Sequence, residues 1–174
     1  MNIKSLYKLS YGMFVVCSKK GVKFNGQIAN TVFQITSEPP TVGVSINKNN
    51  LTHEYIDESK VFTVSVLSTS TPLPFIGRFG FRSGRDSNKL EGVNFKVGKT
   101  GAPVVQDNAV VYVEARVARQ MDVGTHTIFI GEIVDTDIIN EKEEPMTYSY
   151  YQQVKRGTTP AAAPTHIEEE KQTK

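Results

Sequence analysis

The chain is a succession of short apolar segments, each cut off by glycine, proline or a polar cluster before a helical period can establish itself. They are "GMFVVCS", "FNGQIANTVFQIT", "TVGVSIN", "VFTVSVLS", "VNFKVGKTGAPVV", "NAVVYVEARVARQMDVG" and "HTIFIGEIVDTDII". Val, Ile, Thr, Phe and Tyr dominate them, and Val61–Val66 and Val111–Val117 alternate apolar with polar, the period of a half-buried strand. "KKGVK" places Gly21 where a turn needs positive φ, and the prolines of "EPPTV" separate two strands because neither can donate to a ladder. Helical signals are few: Thr52–Lys60, with Thr52 as a candidate N-cap and Glu54 just inside, and part of "TPLPFIGRFGFRSGRD". Many short strands with a few short helices predict a mainly β fold, a closed or half-open antiparallel barrel. A doubly wound sheet is disfavoured, and neither G-x-G-x-x-G nor G-x-x-x-x-G-K-[ST] occurs.

With 174 residues the chain has the length of one domain. A net charge of only +2 gives no sign of a dedicated nucleic-acid or membrane-surface protein. Cys17, the single cysteine, excludes an internal disulfide or a cysteine-based metal site within the chain, and its apolar surroundings predict a buried thiol. No secretory h-region and no apolar run of about 20 residues is present, so a cytoplasmic protein is the expectation. After Val154 the composition turns to Pro, Ala and charge. We therefore expect a barrel domain over 1–154 and an extended tail over 155–174, ordered only if it lies on something else.

Three places could carry chemistry. Between Asn25 and Thr36, neutral hydrogen-bonding side chains (Asn25, Gln27, Asn30, Thr31, Gln34, Thr36) are more numerous than a strand that only builds core requires. The run Arg78–Lys99 holds six basic residues against two acidic ones, and its "SGRDSNK" combines glycine, hydroxyls, Arg85 and Lys89, the parts that hold a phosphate. "SINKNNLTH" closes a strand with Ser45, Lys48, Asn49 and Asn50 and then opens a helix at Thr52, where free amides favour an anion. Each of the two loops also fits a plain solvated loop or helix cap. His126 follows a glycine turn at the mouth of a strand, a place for a ligand-facing donor or for a structural imidazole. The three histidines lack metal-ligand spacing and no nucleophile–His–Asp arrangement is legible, which leaves redox chemistry on a bound cofactor.

The order of "GMFVVCSKKGVKFNGQIANTVFQITSEPPTVGVSINKNN", "SGRDSNK", "GTHTIFIGEIVD" and "YYQQVKRGTTP" resembles the flavin reductase-like proteins with an FMN-binding split barrel. Within that family it is most similar to the flavoredoxins and the flavin domain of high-molecular-weight rubredoxins. The resemblance implies a six-stranded antiparallel Greek-key split barrel, a homodimer, bound FMN and NAD(P)H as reductant. It implies that Asn25, Asn30 and Thr31 face the flavin ring, and that Ser45, Lys48, Asn50 and Thr52 line the ribityl chain and phosphate. Arg85 and Lys89 would add charge at the phosphate, Tyr148, Tyr150 and Tyr151 would cover the ring or the partner subunit, and His126 would act near the flavin or nicotinamide. Thr125 stands where the family pattern has an acidic residue. No paired C-x-x-C motif follows the barrel, so a one-electron acceptor such as a rubredoxin would be a separate protein. The expected activity is electron transfer from NAD(P)H through FMN to an acceptor. A non-catalytic FMN carrier reduced by a partner, and a flavin-free interaction barrel, are the alternatives.

Overall fold

The structure, a computed structural model, describes residues 2–166. The expected tail residues 167–174 lie outside the described residues. After a short 3-10 turn at Ile3–Lys8, the chain forms strands β1 (Phe14–Lys20), β2 (Lys23–Ala29), β3 (Val32–Ser37) and β4 (Pro40–Asn47), then helix α1 (Leu51–Ser59). Strand β5 (Val61–Leu67), helix α2 (Leu73–Gly80) and the short strands β6 (Phe95–Val97) and β7 (Pro103–Val105) follow. The long strands β8 (Ala109–Asp122) and β9 (His126–Ile138) and helix α3 (Tyr148–Gln153) complete the order.

Seven strands make one antiparallel sheet in the order β2-β1-β5-β8-β9-β4-β3, and β6 and β7 form a separate ribbon. The strand count exceeds the six expected because "FNGQIANTVFQIT" is not one strand. It breaks at Asn30 and Thr31 into β2 and β3, which sit at opposite edges of the sheet. Six interstrand spacings would separate those edges by roughly 29 Å if the sheet were flat. Three Cα steps from Ala29 to Val32 span at most about 11 Å. The sheet must therefore curl until its edges approach, and the result is a barrel with a seam between β2 and β3.

Alternation along the strands divides the apolar residues into two cores. Val16, Val44, Ile46, Phe62, Val64 and Phe129 fill the barrel, plugged by Ile56 of α1. On the outer side Met13, Leu67, Ile76, Phe79, Leu90, Val105, Met146 and Tyr151 pack α2, α3 and β7 against the sheet. Cys17 is fully buried there, and burial pushes its thiol pKa up to about 12, opposed in part by Lys89 and a hydrogen bond with Thr63. Helix α1 begins one residue earlier than expected; Thr52 lies within it rather than capping it, and Glu54 pairs with Arg85 instead of closing a capping box.

The β6–β7 ribbon is tied to the sheet by polar contacts that leave nothing over. Thr63 Oγ1 donates to the Pro103 carbonyl at 2.6 Å and Ser65 Oγ to the Val105 carbonyl at 2.7 Å. The buried Glu114 carboxylate accepts the Lys99 amide at 2.9 Å and the Thr100 amide on its other oxygen. Gly98 makes that approach possible, since a Cβ there would lie 2.4 Å from Glu114 Oε2.

Candidate functional site

A cavity of about 580 Å³ runs along the seam. Its walls are β2 (Asn25, Gln27, Ile28, Ala29) with Asn30, the end of β4 (Ser45, Asn47), the N-terminus of α1 (Asn50, Leu51, Thr52), and α2 with the loop after it (Ile76, Phe79, Arg82, Ser83, Gly84, Lys89). Tyr148 and Tyr151 of α3 and the segment Thr158–Pro164 close the remaining side. Because β2 is an edge strand, one edge of its backbone is not paired to another strand and borders this space.

The polar walls are positioned from opposite directions. Asn25 Nδ2 donates to Thr52 Oγ1 at 2.7 Å, fixing α1 against β2. Gly84 admits this arrangement: a Cβ there would fall 2.0 Å from Asn25 Oδ1. Asn50 stands at the N-cap of α1 without a side-chain cap hydrogen bond, and it lines the cavity together with Leu51 and Thr52 of the first turn. Such a terminus attracts negative charge.

Cations are unevenly available. Lys89 is only 6 % exposed, and its ammonium makes a single 3.3 Å contact to the Phe79 carbonyl. Desolvation lowers its pKa to about 8, opposed in part by Cys17. A buried ammonium with so little compensation is expensive, and the space beside it is the cavity. Arg82 lines the mouth with no ion pair among the described residues.

Of the residues singled out from the sequence, Asn25, Asn30, Ser45, Asn50, Thr52, Lys89 and Tyr151 converge on the cavity. Thr31 sits at its corner, donating to Asn30 Oδ1 at 3.1 Å. Lys48 points away and pairs with Asp122 at 2.5 Å, and Arg85 is bound to Glu54 by both guanidinium nitrogens. His126 opens β9 opposite Asn47 in register but is not among the residues that line the cavity. Its Nδ1 lies 2.8 Å from Thr125 Oγ1, and Nε2 is buried with no hydrogen-bond partner of acceptable geometry. Burial lowers its pKa, opposed in part by the backbone of Ala162.

Several wall residues have no counterpart in the sequence-based site. Gln27, between Asn25 and Ala29 on one face of β2, belongs to the polar set of that strand but has no assigned contact there; Asn47 and Arg82 are close in sequence to Ser45 and Arg85. The segment beyond Gly157 is rich in Pro and Ala and has no core-forming periodicity. In the structure it folds back over the cavity through two turns, with Tyr151 Oη donating to the Thr158 carbonyl at 2.9 Å. Tyr148 and Thr159 join through their hydroxyls, Asn30 Nδ2 donates to Thr165 Oγ1 at 2.7 Å, and Asn47 Nδ2 to the Ala162 carbonyl at 3.3 Å.

Fold and site together define a split barrel whose seam holds a polar cleft with cations on one side and apolar and aromatic surface on the other. The chain belongs to the flavin reductase like domain family, whose model matches residues 6–158. It is 53 % identical over 165 residues to a high molecular weight rubredoxin of Moorella thermoacetica, covering 95 % of this chain and 72 % of that one. It is 47 % identical over 168 residues to a ferric-chelate reductase (NAD(P)H) of Archaeoglobus fulgidus, covering 97 % and 99 %. The fold is shared with an NADH:FAD oxidoreductase of Streptomyces globisporus, at TM-score 0.75 and 24 % identity over 83 % of this chain and 84 % of that one. It is shared also with a flavoredoxin of Methanosarcina acetivorans, at TM-score 0.68 and 24 % identity over 74 % and 68 %. No helix among the described residues is long and apolar enough to cross a membrane.

Proposed function

We propose that the seam cavity binds FMN and that the protein is an oxidoreductase moving electrons from NAD(P)H through that cofactor to a downstream acceptor. The observation that carries this reading is Lys89, a buried ammonium that faces a cavity and lacks an anionic partner. The residues present fit the group. Lys89, Arg82 and the uncapped N-terminus of α1 supply the positive end for a phosphate. Asn25, Asn30, Ser45 and Thr52 supply neutral donors and acceptors for a ribityl chain and a ring edge, and Ile76, Phe79 and Tyr151 supply apolar surface. The volume lies within the range of about 300–1,000 Å³ usual for cofactor and small-molecule sites.

When bound, the flavin supplies hydride acceptance from a nicotinamide and onward delivery of electrons. The chain's own part is to hold and orient it, to exclude water with the segment Thr158–Pro164, and to balance its negative charge with Lys89. His126 has an unpaired nitrogen but lies beside Asn47 and the Ala162 backbone outside the cavity lining, so its contact with a nicotinamide requires that segment to shift. Lys48 and Arg85 reach a phosphate only by giving up Asp122 and Glu54.

A homodimer is part of the same proposal. Phe33 and Ile35 of β3 and Met121 of β8 are exposed. Phe33 pairs with Gly43, Gly43 with Ile130, and Met121 with Ile128 and so with Ser45, which places all of them on one outer sheet face. Ser45 joins this apolar face to the cavity wall.

Titration of the purified protein with FMN, followed by flavin fluorescence, tests the cofactor; failure to bind it at micromolar concentration overturns the reading. Stopped-flow mixing of the loaded protein with NADH and with NADPH then tests the donor. Bleaching of the flavin band is expected, and its absence with both nucleotides would leave an FMN carrier.

A further inference from the structure

We infer that Gln27 is a further cofactor-positioning residue, whose side-chain oxygen accepts a hydrogen bond from the imide N–H of the flavin ring. The inference rests on the FMN reading above and adds to it a residue and a ligand atom.

Gln27 lines the cavity and is only 9 % exposed. Its Nε2 lies 3.4 Å from the Ile28 carbonyl, a long contact in the amide orientation that keeps oxygen from facing oxygen. Oε1 is left buried with no hydrogen-bond partner among the described residues. The amides on either side are spoken for. Asn25 Nδ2 is committed to Thr52, Asn30 Nδ2 to Thr165, and Asn30 Oδ1 accepts from Thr31. Among the three, Gln27 alone, a residue of the cavity wall, has a fully buried side-chain oxygen without a partner. Buried polar atoms are almost always paired, and an unpaired one on a residue that lines a binding site calls for a donor on the ligand. The cations of the wall do not fill that role: Lys89 donates to Phe79, and Arg82 is at the exposed mouth.

An acceptor of this kind takes an O–H, such as a ribityl hydroxyl, or an amide-type N–H. Oxidised FMN carries one on its ring, between two carbonyls, and the carboxamide of a nicotinamide carries another. We commit to the flavin because Gln27 lies on β2, between the two asparagines that border the same stretch of cavity.

The test is a cycle between protein and ligand. Dissociation constants are measured by fluorescence for FMN and its N3-methyl analogue, with the wild type and with Gln27→Ala, which leaves room for the methyl group. Methylation is expected to weaken binding to the wild type by about tenfold and to the variant by less than about twofold. A coupling within twofold overturns the inference, as does a Gln27→Ala protein whose FMN affinity is unchanged while its Kd for NAD+ rises, which would assign the oxygen to the nicotinamide. Gln27→Glu, checked for folding by circular dichroism, adds a second readout. A carboxylate beside the ring is expected to weaken reduced FMN about tenfold relative to oxidised FMN, lowering the two-electron potential by about 30 mV. An unchanged potential counts against the contact. A wild type that binds neither FMN nor its analogue refutes the FMN reading itself, whereas one that binds both equally refutes only the role of Gln27.

Discussion

Two buried polar regions of this molecule are built from the same sheet and treated oppositely. Under the β6–β7 ribbon, Glu114, Thr63 and Ser65 are enclosed and each has its partners. Along the seam, Lys89 and Gln27 are also buried, but Lys89 has one long contact and no anion, and the Gln27 oxygen has no partner. A polar group that holds the fold together is satisfied by the fold; one kept for a ligand is left short until the ligand arrives. The contrast sets Lys89 and Gln27 apart from the wall residues Asn25, Asn30 and Thr52, whose side chains are already bonded within the fold.

The largest effect is expected where satisfaction is complete. Glu114→Leu strands two buried amides and should cost on the order of 3 kcal/mol, read as a lower urea midpoint, with FMN affinity of the folded fraction unaltered. If affinity falls as well, the two regions are not independent. Lys89→Met should do the reverse. Removing a desolvated ammonium stabilises the empty protein by roughly 2 kcal/mol, while FMN affinity drops by about 10- to 100-fold. A variant that is less stable and binds normally would move Lys89 into the structural group.

The titration of Lys89 sharpens the same point. Its pKa is about 8 in the folded chain against 10.5 for an exposed lysine, so between these values the unfolded state holds more protons. Stability of the empty protein should therefore rise with pH across that window and be flat just below it. A bound anion favours the charged form, so the Kd for FMN should be flat from pH 7 to 8 and then increase by up to about tenfold per unit, a trend absent in Lys89→Met. The smallest effect is expected at Arg85. Its guanidinium is exposed and tied to Glu54, so Arg85→Ala should change FMN affinity by less than about threefold at physiological salt.

The sequence revealed most of the fold because strand period and turn chemistry are local. Gly21 has the positive φ its turn demanded, and Pro39 and Pro40 fall where β3 gives way to β4. It concealed the break at Asn30–Thr31, since nothing local distinguishes a corner flanked by Ala29 and Val32 from a continuing strand; only the closing of the sheet requires it. Site residues in loops next to regular elements were legible by chemical type. Which cations stay free was not: Lys48 and Arg85 carry the same charge as Lys89 and Arg82, but their partners Asp122 and Glu54 are 74 and 31 residues away. The covering role of Thr158–Pro164 was hidden for the same reason, its partners Asn30 and Asn47 lying at the other end of the chain.

The corner at Asn30–Thr31 is the sole covalent tether across the slit in the cylinder, and the cleft lies at the same latitude. A molecule spanning from β2 to the end of β4 would act as a removable second rivet. Loss of that molecule and fraying of the slit would then be one event observed from two sides. Slowed amide exchange in β2 and β3, with β8 indifferent, would be its signature.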